Sequence, residues 1–146
     1  MMNKLPADKV DAAPAAMSDF APVALTFGIC VPFLISGLVK AVDISAAAAE
    51  FAGLGLPAPL LLAWLTVAVQ LAGSVTAIWG GRVPATIGAL TLAAFTVAAT
   101  LVAHAFWAVD AALRTAELNI FTEHVSIVCA LLFVAWTRWN SRSSDD

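Results

Sequence analysis

Residues 57–108 read PAPLLLAWLTVAVQLAGSVTAIWGGRVPATIGALTLAAFTVAATLVAHAFWA, two long apolar runs joined by Gly80-Gly81-Arg82. A helix needs roughly 20 apolar residues to cross the hydrocarbon core of a bilayer, and each run is that long. Because the Gly-Gly-Arg linker leaves almost no room between them, the runs predict an antiparallel hairpin of two membrane-spanning helices. We place these two spans at residues 57–80 and 83–108.

The rest of the chain is similarly apolar. Of its 146 residues, 62% are hydrophobic and only 12% charged, and the mean hydropathy is +0.93. A soluble protein has about 45–50% apolar and about 25% charged residues. Two further apolar runs, residues 20–39 and 120–139, bring the number of spans to four. The sequence therefore predicts an all-α protein, an integral membrane four-helix bundle that forms one domain.

The distribution of Lys and Arg predicts the orientation of this bundle. Short cytoplasmic loops and tails carry an excess of these residues. One side of the predicted bundle carries Lys4, Lys9, Arg82, Arg138 and Arg142, and the other only Lys40 and Arg114. We therefore expect a multi-pass protein of the inner (plasma) membrane with both termini in the cytoplasm.

Three segments lie outside the spans. Residues 1–19 are predicted to be a flexible N-terminal cytoplasmic tail, and residues 140–146 a C-terminal cytoplasmic tail. Residues 43–52 favour a short helix on the membrane surface, because a run of alanines stands between two acidic residues that need water. The net charge of −3 is small and scattered, so no basic face suggests a nucleic-acid partner.

Polar residues in the spans predict a site, because polar groups within a membrane usually face the bundle interior. Counting about 1.5 Å per residue along each helix brings several of them to similar depths near the outer surface. The predicted site comprises Ser36, Lys40, Gln70, Thr100, His104, Glu123 and His124. Above an apolar floor, these side chains would form an outward-facing pocket that suits an amphipathic head group, such as a quinone ring, better than a hydrated ion.

Each of these residues also has a simpler interpretation. Lys40 can extend its amine to the lipid headgroups, Glu123 can stabilise the first turn of the fourth helix, and Gln70 can link two helices by hydrogen bonds. His104 and His124 lie at similar depth and could hold a metal or haem, but no ligand-spacing motif accompanies them. We therefore predict hydrogen bonding at these histidines, and no metal site.

The two cysteines, Cys30 and Cys129, both lie within apolar runs and form no CxxC pair. Free cysteine is among the most buried residue types, so we interpret each as a packing residue. Their similar depth also leaves a disulfide or a soft-metal contact open.

Several motifs resemble those of the DoxX family. FLISGLVK at 33–40 followed by Asp43 resembles the end of that family's first helix, and FAGLGLPAP at 51–59 resembles the start of its second. QLAG at 70–73 with Gly80-Gly81-Arg82, and HAFW at 104–107, are similar to later parts of the same pattern. The resemblance covers residues 20–136, nearly the whole chain apart from its tails.

This resemblance implies a four-helix membrane protein. Some members of the family are similar to the membrane subunit of thiosulfate:quinone oxidoreductase or associate with other redox proteins. The resemblance implies an accessory subunit of a redox or stress-related system that interacts with quinone and is not catalytic alone. Besides the bilayer, its partner would be a redox protein or a second copy of the chain. The family commonly has Glu where Gln70 stands, so a carboxylate role does not carry over to this position.

Two other functions remain open from the residues themselves. A non-catalytic scaffold that anchors a partner enzyme would explain why no flavin, nucleotide or CxxC site appears. A small transporter ranks third, because such proteins use a membrane-embedded carboxylate and no Asp or Glu lies deep in a predicted span.

Overall fold

The structure is a computed structural model that describes the backbone of residues 15–141 and the side chains of residues 20–141. Nearly all of these residues are helical. The helices are α1 (Ala15–Val42), α2 (Ile44–Gly53), α3 (Pro59–Trp79), α4 (Arg82–Ala103) and α5 (Ala111–Asn140), and no strand occurs among the described residues. All except α2 are long and apolar enough to cross a membrane. The predicted all-α architecture with four membrane-spanning helices is confirmed.

Several helix ends differ from the predicted span limits. Helix α1 begins at Ala15, within the predicted tail 1–19, and the remainder of that tail lies outside the described residues, as does the C-terminal tail beyond Ser141. Helix α4 ends at Ala103, and α5 begins at Ala111, well before the predicted start at residue 120. Hydropathy marks where a helix is apolar, whereas the helix itself continues as far as backbone bonding and packing support it.

The predicted short helix between the first two spans is present as α2. Its N-cap residue is Asp43, whose carboxylate accepts hydrogen bonds from the Ala46 N–H at 2.9 Å and from the Ser45 hydroxyl at 2.7 Å. These two bonds favour the ionised carboxylate and hold the pKa of Asp43 below its usual range. A negative charge at the start of a helix also interacts favourably with the helix dipole. Asp43 therefore fixes the point at which the chain leaves α1 and turns into α2.

The membrane-spanning helices pack in the order of the sequence. Helix α1 packs on α3, α3 on α4, and α4 on α5. The short helix α2 packs mainly on α3. Helices α1 and α5 scarcely contact each other. Helices α3 and α4 of the hairpin lie close together because their interface is built from small residues. Gly73 is buried there, and a Cβ atom at this position would come within 3.0 Å of the Leu92 side chain. The spans therefore form a sequential bundle in which the first and last helices share the smallest of the four interfaces between adjacent spans.

The hydrophobic core fills the half of the bundle nearest the α3–α4 turn. Its members come from all four spans: Cys30, Phe33, Ala77, Ile78, Ala89, Leu92, Ala93, Leu131, Val134 and Ala135. At the same end, Arg138 Nη2 donates a hydrogen bond to the Ile78 carbonyl at 3.1 Å, and the Arg82 guanidinium lies 4.9 Å from the ring centre of Trp139. The other half of the bundle is less tightly filled, and the candidate site lies there.

Candidate functional site

A cavity of about 470 Å³ lies in the half of the bundle remote from the α3–α4 turn. Pockets for small ligands typically measure roughly 300–1,000 Å³. The polar residues that line it are Ser36, Lys40, Glu50, Thr66, Gln70, Thr96, His104 and His124. The apolar ones are Pro32, Phe33, Phe51, Leu54, Leu56, Leu62, Phe95, Ala98, Ala99, Val102, Ala103 and Ile127. The cavity is thus amphipathic, and every helix contributes to it.

His124 reaches the cavity from α5 and is held by a hydrogen-bond chain on α4. Its Nδ1 lies 2.8 Å from the Thr100 hydroxyl oxygen, and that hydroxyl is 2.6 Å from the Thr96 carbonyl oxygen. Thr100 is buried and is spaced four residues from Thr96, so its hydroxyl can reach the carbonyl one turn earlier. The chain of bonds connects α4 with α5 and fixes the plane of the imidazole.

His104 occupies the C-cap of α4, where the chain turns toward α5. Its φ of −125° and ψ of 43° take the backbone out of the helix. Its Nδ1 lies 2.9 Å from Oε2 of Glu117, and both side chains are about one quarter exposed, at 26% and 24%. The rings of His104 and His124 stand edge to face with centroids 5.1 Å apart and planes inclined by 69°. The end of α4 and the middle of α5 therefore bring the imidazoles together at one edge of the cavity.

Three aromatic rings support the connection between α4 and α5. Phe106 lies in edge contact with Trp107 and Phe121, with ring centroids 5.0 and 5.3 Å apart, and the Trp107 and Phe121 centroids are 5.9 Å apart. Aromatic pairs prefer this edge-to-face geometry. Because Phe121 belongs to the early part of α5, the cluster fixes this segment next to His104.

Lys40 and Glu50 form an ion pair at the end of the cavity covered by α2. The Lys40 side chain is 17% exposed and that of Glu50 62% exposed, so the pair lies at the edge of the structure and not in its interior. The pair links the last turn of α1 to α2. The ion pair thereby holds α2 across the end of the cavity. Helix α2 also places Phe51 against the cavity.

Gln70 and Ser36 join α3 to α1 deeper in the bundle. The Gln70 Nε2 amide donates to the Ser36 hydroxyl at 3.2 Å. The Gln70 residue is 5% exposed, and its Oε1 is a buried atom without a partner among the described residues. A buried polar atom of this kind carries a free-energy cost unless something pairs with it.

The structure brings most of the predicted site together and excludes one residue. The residues that line the cavity are Ser36, Lys40, Gln70, His104 and His124. Thr100 does not line it but holds His124. Glu123 is exposed and lies outside the cavity. Consecutive helical residues point about 100° apart, so the rotation of α5 that turns His124 toward the cavity leaves Glu123 on its exposed side.

Sequence reasoning missed Glu117 and Glu50, the two carboxylates that contact predicted site residues. Glu117 lies before the predicted start of the fourth span at residue 120, so the span prediction left it in the loop between the third and fourth spans. A signal was available, since Glu117, Phe121 and His124 follow at helical spacing and would share one face if α5 began earlier. The pairing of Glu50 with Lys40 had a weaker signal in the sequence, namely an acidic residue on a predicted short helix soon after a lysine.

The two cysteines are free thiols in different surroundings. Cys30 is buried in the core, and Cys129 is exposed on the outer face of α5. The packing interpretation therefore fits Cys30, whereas Cys129 faces away from the bundle. No disulfide joins them.

One comparison with known proteins, the match to a family, agrees with the architecture. No match to this chain was found among curated proteins or among solved structures. The sequence model of the DoxX family matches residues 20–105, which is more than half of the chain and covers α1 from Phe20 through α4. On this match and on its four apolar helices, the chain belongs to the DoxX family of membrane proteins.

Proposed function

We propose that the cavity binds the ring of a quinone, and that the chain serves as an accessory membrane subunit of a redox system. The observation that carries this proposal is the cavity itself, in which two imidazoles, an amide, three hydroxyls and the Lys40–Glu50 ion pair meet a wall of apolar side chains. A quinone combines the same two characters, because its ring oxygens form hydrogen bonds and its chain is hydrophobic.

The route into the cavity supports a lipid-soluble ligand. Residues of α1 and α5 flank the cavity, yet these two helices scarcely contact each other. On α1, Ile35 and Leu38 beside this region are exposed apolar residues, at 59% and 57%. We propose that a ligand dissolved in the bilayer enters between these two helices without crossing water.

Binding can be tested with a variant that fills the cavity. Ala99 lines the cavity, and Ala99→Phe would occupy part of its volume. The matched control is Ala94→Phe, since Ala94 is an exposed residue of the same helix that does not line the cavity. Both variants and the wild type are placed in lipid nanodiscs and titrated with a decyl-substituted benzoquinone. We expect binding by the wild type and by the control, and loss of binding by Ala99→Phe.

The proposal fails if the wild type binds no quinone, or if filling the cavity leaves the affinity unchanged. The subunit role is tested separately, by purifying the protein in mild detergent and identifying bound proteins and quinones by mass spectrometry. Recovery of a partner enzyme without any quinone would favour the scaffold function instead.

A further inference from the structure

The hydrogen bonds of the two cavity imidazoles determine which nitrogen each presents to a ligand. His104 and His124 both use Nδ1 for a protein contact, with Glu117 and Thr100 respectively. Neither of these partners lines the cavity, whereas both imidazoles do. The ring edge left to face a ligand is therefore the one that carries Nε2.

The proton of His124 is located by the chain of bonds on α4. The Thr100 hydroxyl has one hydrogen, and its oxygen lies 2.6 Å from the Thr96 carbonyl oxygen. A carbonyl can only accept, so the hydroxyl donates to Thr96. The 2.8 Å contact with Nδ1 must then be a bond in which His124 donates to the hydroxyl oxygen. In a neutral imidazole this leaves Nε2 with a lone pair.

His104 is also protonated at Nδ1, through a different hydrogen-bond partner. The carboxylate of Glu117 accepts, so His104 Nδ1 carries the proton across the 2.9 Å contact. The hydrogen bond made by one ring nitrogen fixes the role of the other. When neutral, His104 therefore also presents an Nε2 lone pair.

We infer that the two Nε2 atoms form a pair of hydrogen-bond acceptors that selects the reduced, hydroxyl-bearing form of the ring, a hydroquinone, over the oxidised quinone. This inference rests on the proposed function of the cavity. A hydroquinone hydroxyl can donate to Nε2, whereas a quinone carbonyl can only accept and would oppose one lone pair with another. The ammonium of Lys40 has three hydrogens, of which Glu50 takes one. A quinone carbonyl and a hydroquinone hydroxyl oxygen can both accept from it, so this donor serves both forms, whereas the imidazole acceptors serve only the reduced one.

Two lone pairs could also attract a metal ion, but the surroundings favour a hydroxyl donor. Catalytic zinc sites use three protein ligands. Within residues 20–141, no group of three His, Cys, Asp or Glu side chains is placed to hold a metal. The acceptor pair is thus matched to a ligand that supplies hydrogens.

The first measurement locates the protons directly. The chain has only two histidines, so ¹⁵N-histidine labelling of the full chain, purified without a histidine tag, reports on these rings alone. At alkaline pH in nanodiscs, we expect both rings to show a protonated Nδ1 and an unprotonated Nε2. Protonation of Nε2 in either ring would overturn the inference whether or not a quinone binds.

The second measurement compares the two redox forms of one ligand. The wild type is titrated anaerobically with a decyl-substituted benzohydroquinone and with the matching benzoquinone. One hydrogen bond of about 1 kcal/mol corresponds to about fivefold in affinity, so we expect the reduced form to bind about fivefold more tightly with one such bond and about thirtyfold with both. Equal affinity, or tighter binding of the quinone, would overturn the inference while leaving the proposed function intact.

A variant at a position that does not line the cavity tests whether the preference for the reduced ligand depends on the proton position of His124. Thr100→Val removes the acceptor of the His124 Nδ1 proton, so we expect this ring to shift toward a protonated Nε2 and the preference for the reduced form to fall severalfold. The matched control is Thr91→Val, at an exposed position of α4, which should keep the wild-type preference. An unchanged preference in Thr100→Val would count against the inference, and binding of neither form by the wild type would overturn both it and the proposed function.

Discussion

A Cβ atom placed on Gly88 of α4 would lie 2.7 Å from the carbonyl oxygen of Gly73 on α3. Side-chain carbons do not approach backbone oxygens this closely, so even a methyl group here would push the two helices apart. The two glycines therefore set the spacing of the hairpin that carries Gln70 on one side and Thr96 and Thr100 on the other.

The first prediction follows from this contact. Gly88→Ala should destabilise the bundle, by about 1–3 kcal/mol if it behaves like other overpacked positions. Thermal unfolding in detergent measures the effect. The control is Gly28→Ala, because a Cβ on Gly28 has nothing within 4 Å and alanine has the higher helix propensity. Equal stability of the two variants would show that α3 and α4 are farther apart than described.

The second prediction concerns membrane orientation. Single cysteines are introduced into a background without Cys30 and Cys129, at the exposed positions Gly53, Ala108 and Gly81. With both termini in the cytoplasm, a membrane-impermeant maleimide should label the first two in intact cells and the third only after permeabilisation. Labelling of Gly81→Cys from outside would invert the predicted orientation.

The third prediction concerns the carboxylate that supports His104. Contacting residues show coupling of roughly 0.5–3 kcal/mol in double-mutant cycles, whereas separated residues are nearly additive. We expect such coupling between His104→Ala and Glu117→Ala, and additivity between His104→Ala and Glu123→Ala, because only Glu117 contacts the ring. Denaturant unfolding in mild detergent gives the energies. The reverse result would restore Glu123 to the site.

The fourth prediction concerns the ion pair between α1 and α2. Because Glu50 is 62% exposed, Glu50→Gln should change the global stability by less than about 1 kcal/mol. Its effect should be local: hydrogen exchange in α2 should become faster. Exchanging the charges, Lys40→Glu with Glu50→Lys, should restore the protection. If α2 exchanges at the same rate in all variants, packing on α3 alone holds it in place.

Much of the fold could be predicted from the sequence, because the spans are long apolar runs and the bilayer fixes their length. The common depth of Lys40, His104 and His124 followed from helix geometry and short loops. The same counting could not assign Glu117, because the counting starts at the first residue of an apolar run. Glu117 precedes that run, and the first turns of α5 are held by the contact of Phe121 with Phe106 and of Glu117 with His104.

The position of Glu123 shows a second limit. Depth alone placed it beside His124, but a site also depends on the direction in which each side chain points. That direction is set by how α5 rotates against α4, which depends on contacts such as the one between Thr100 and His124. Hydropathy along the chain does not record this rotation.

The packing of each long helix on the one before it has a consequence for biosynthesis. No helix has to insert between two that are already in place, so the bundle can assemble in the order in which the ribosome delivers it. Helix α3 docks on α1, α4 on α3 and α5 on α4. Until α5 packs on α4, the cavity lacks the side chains of His124 and Ile127. The cavity is therefore completed only when the last helix is in place.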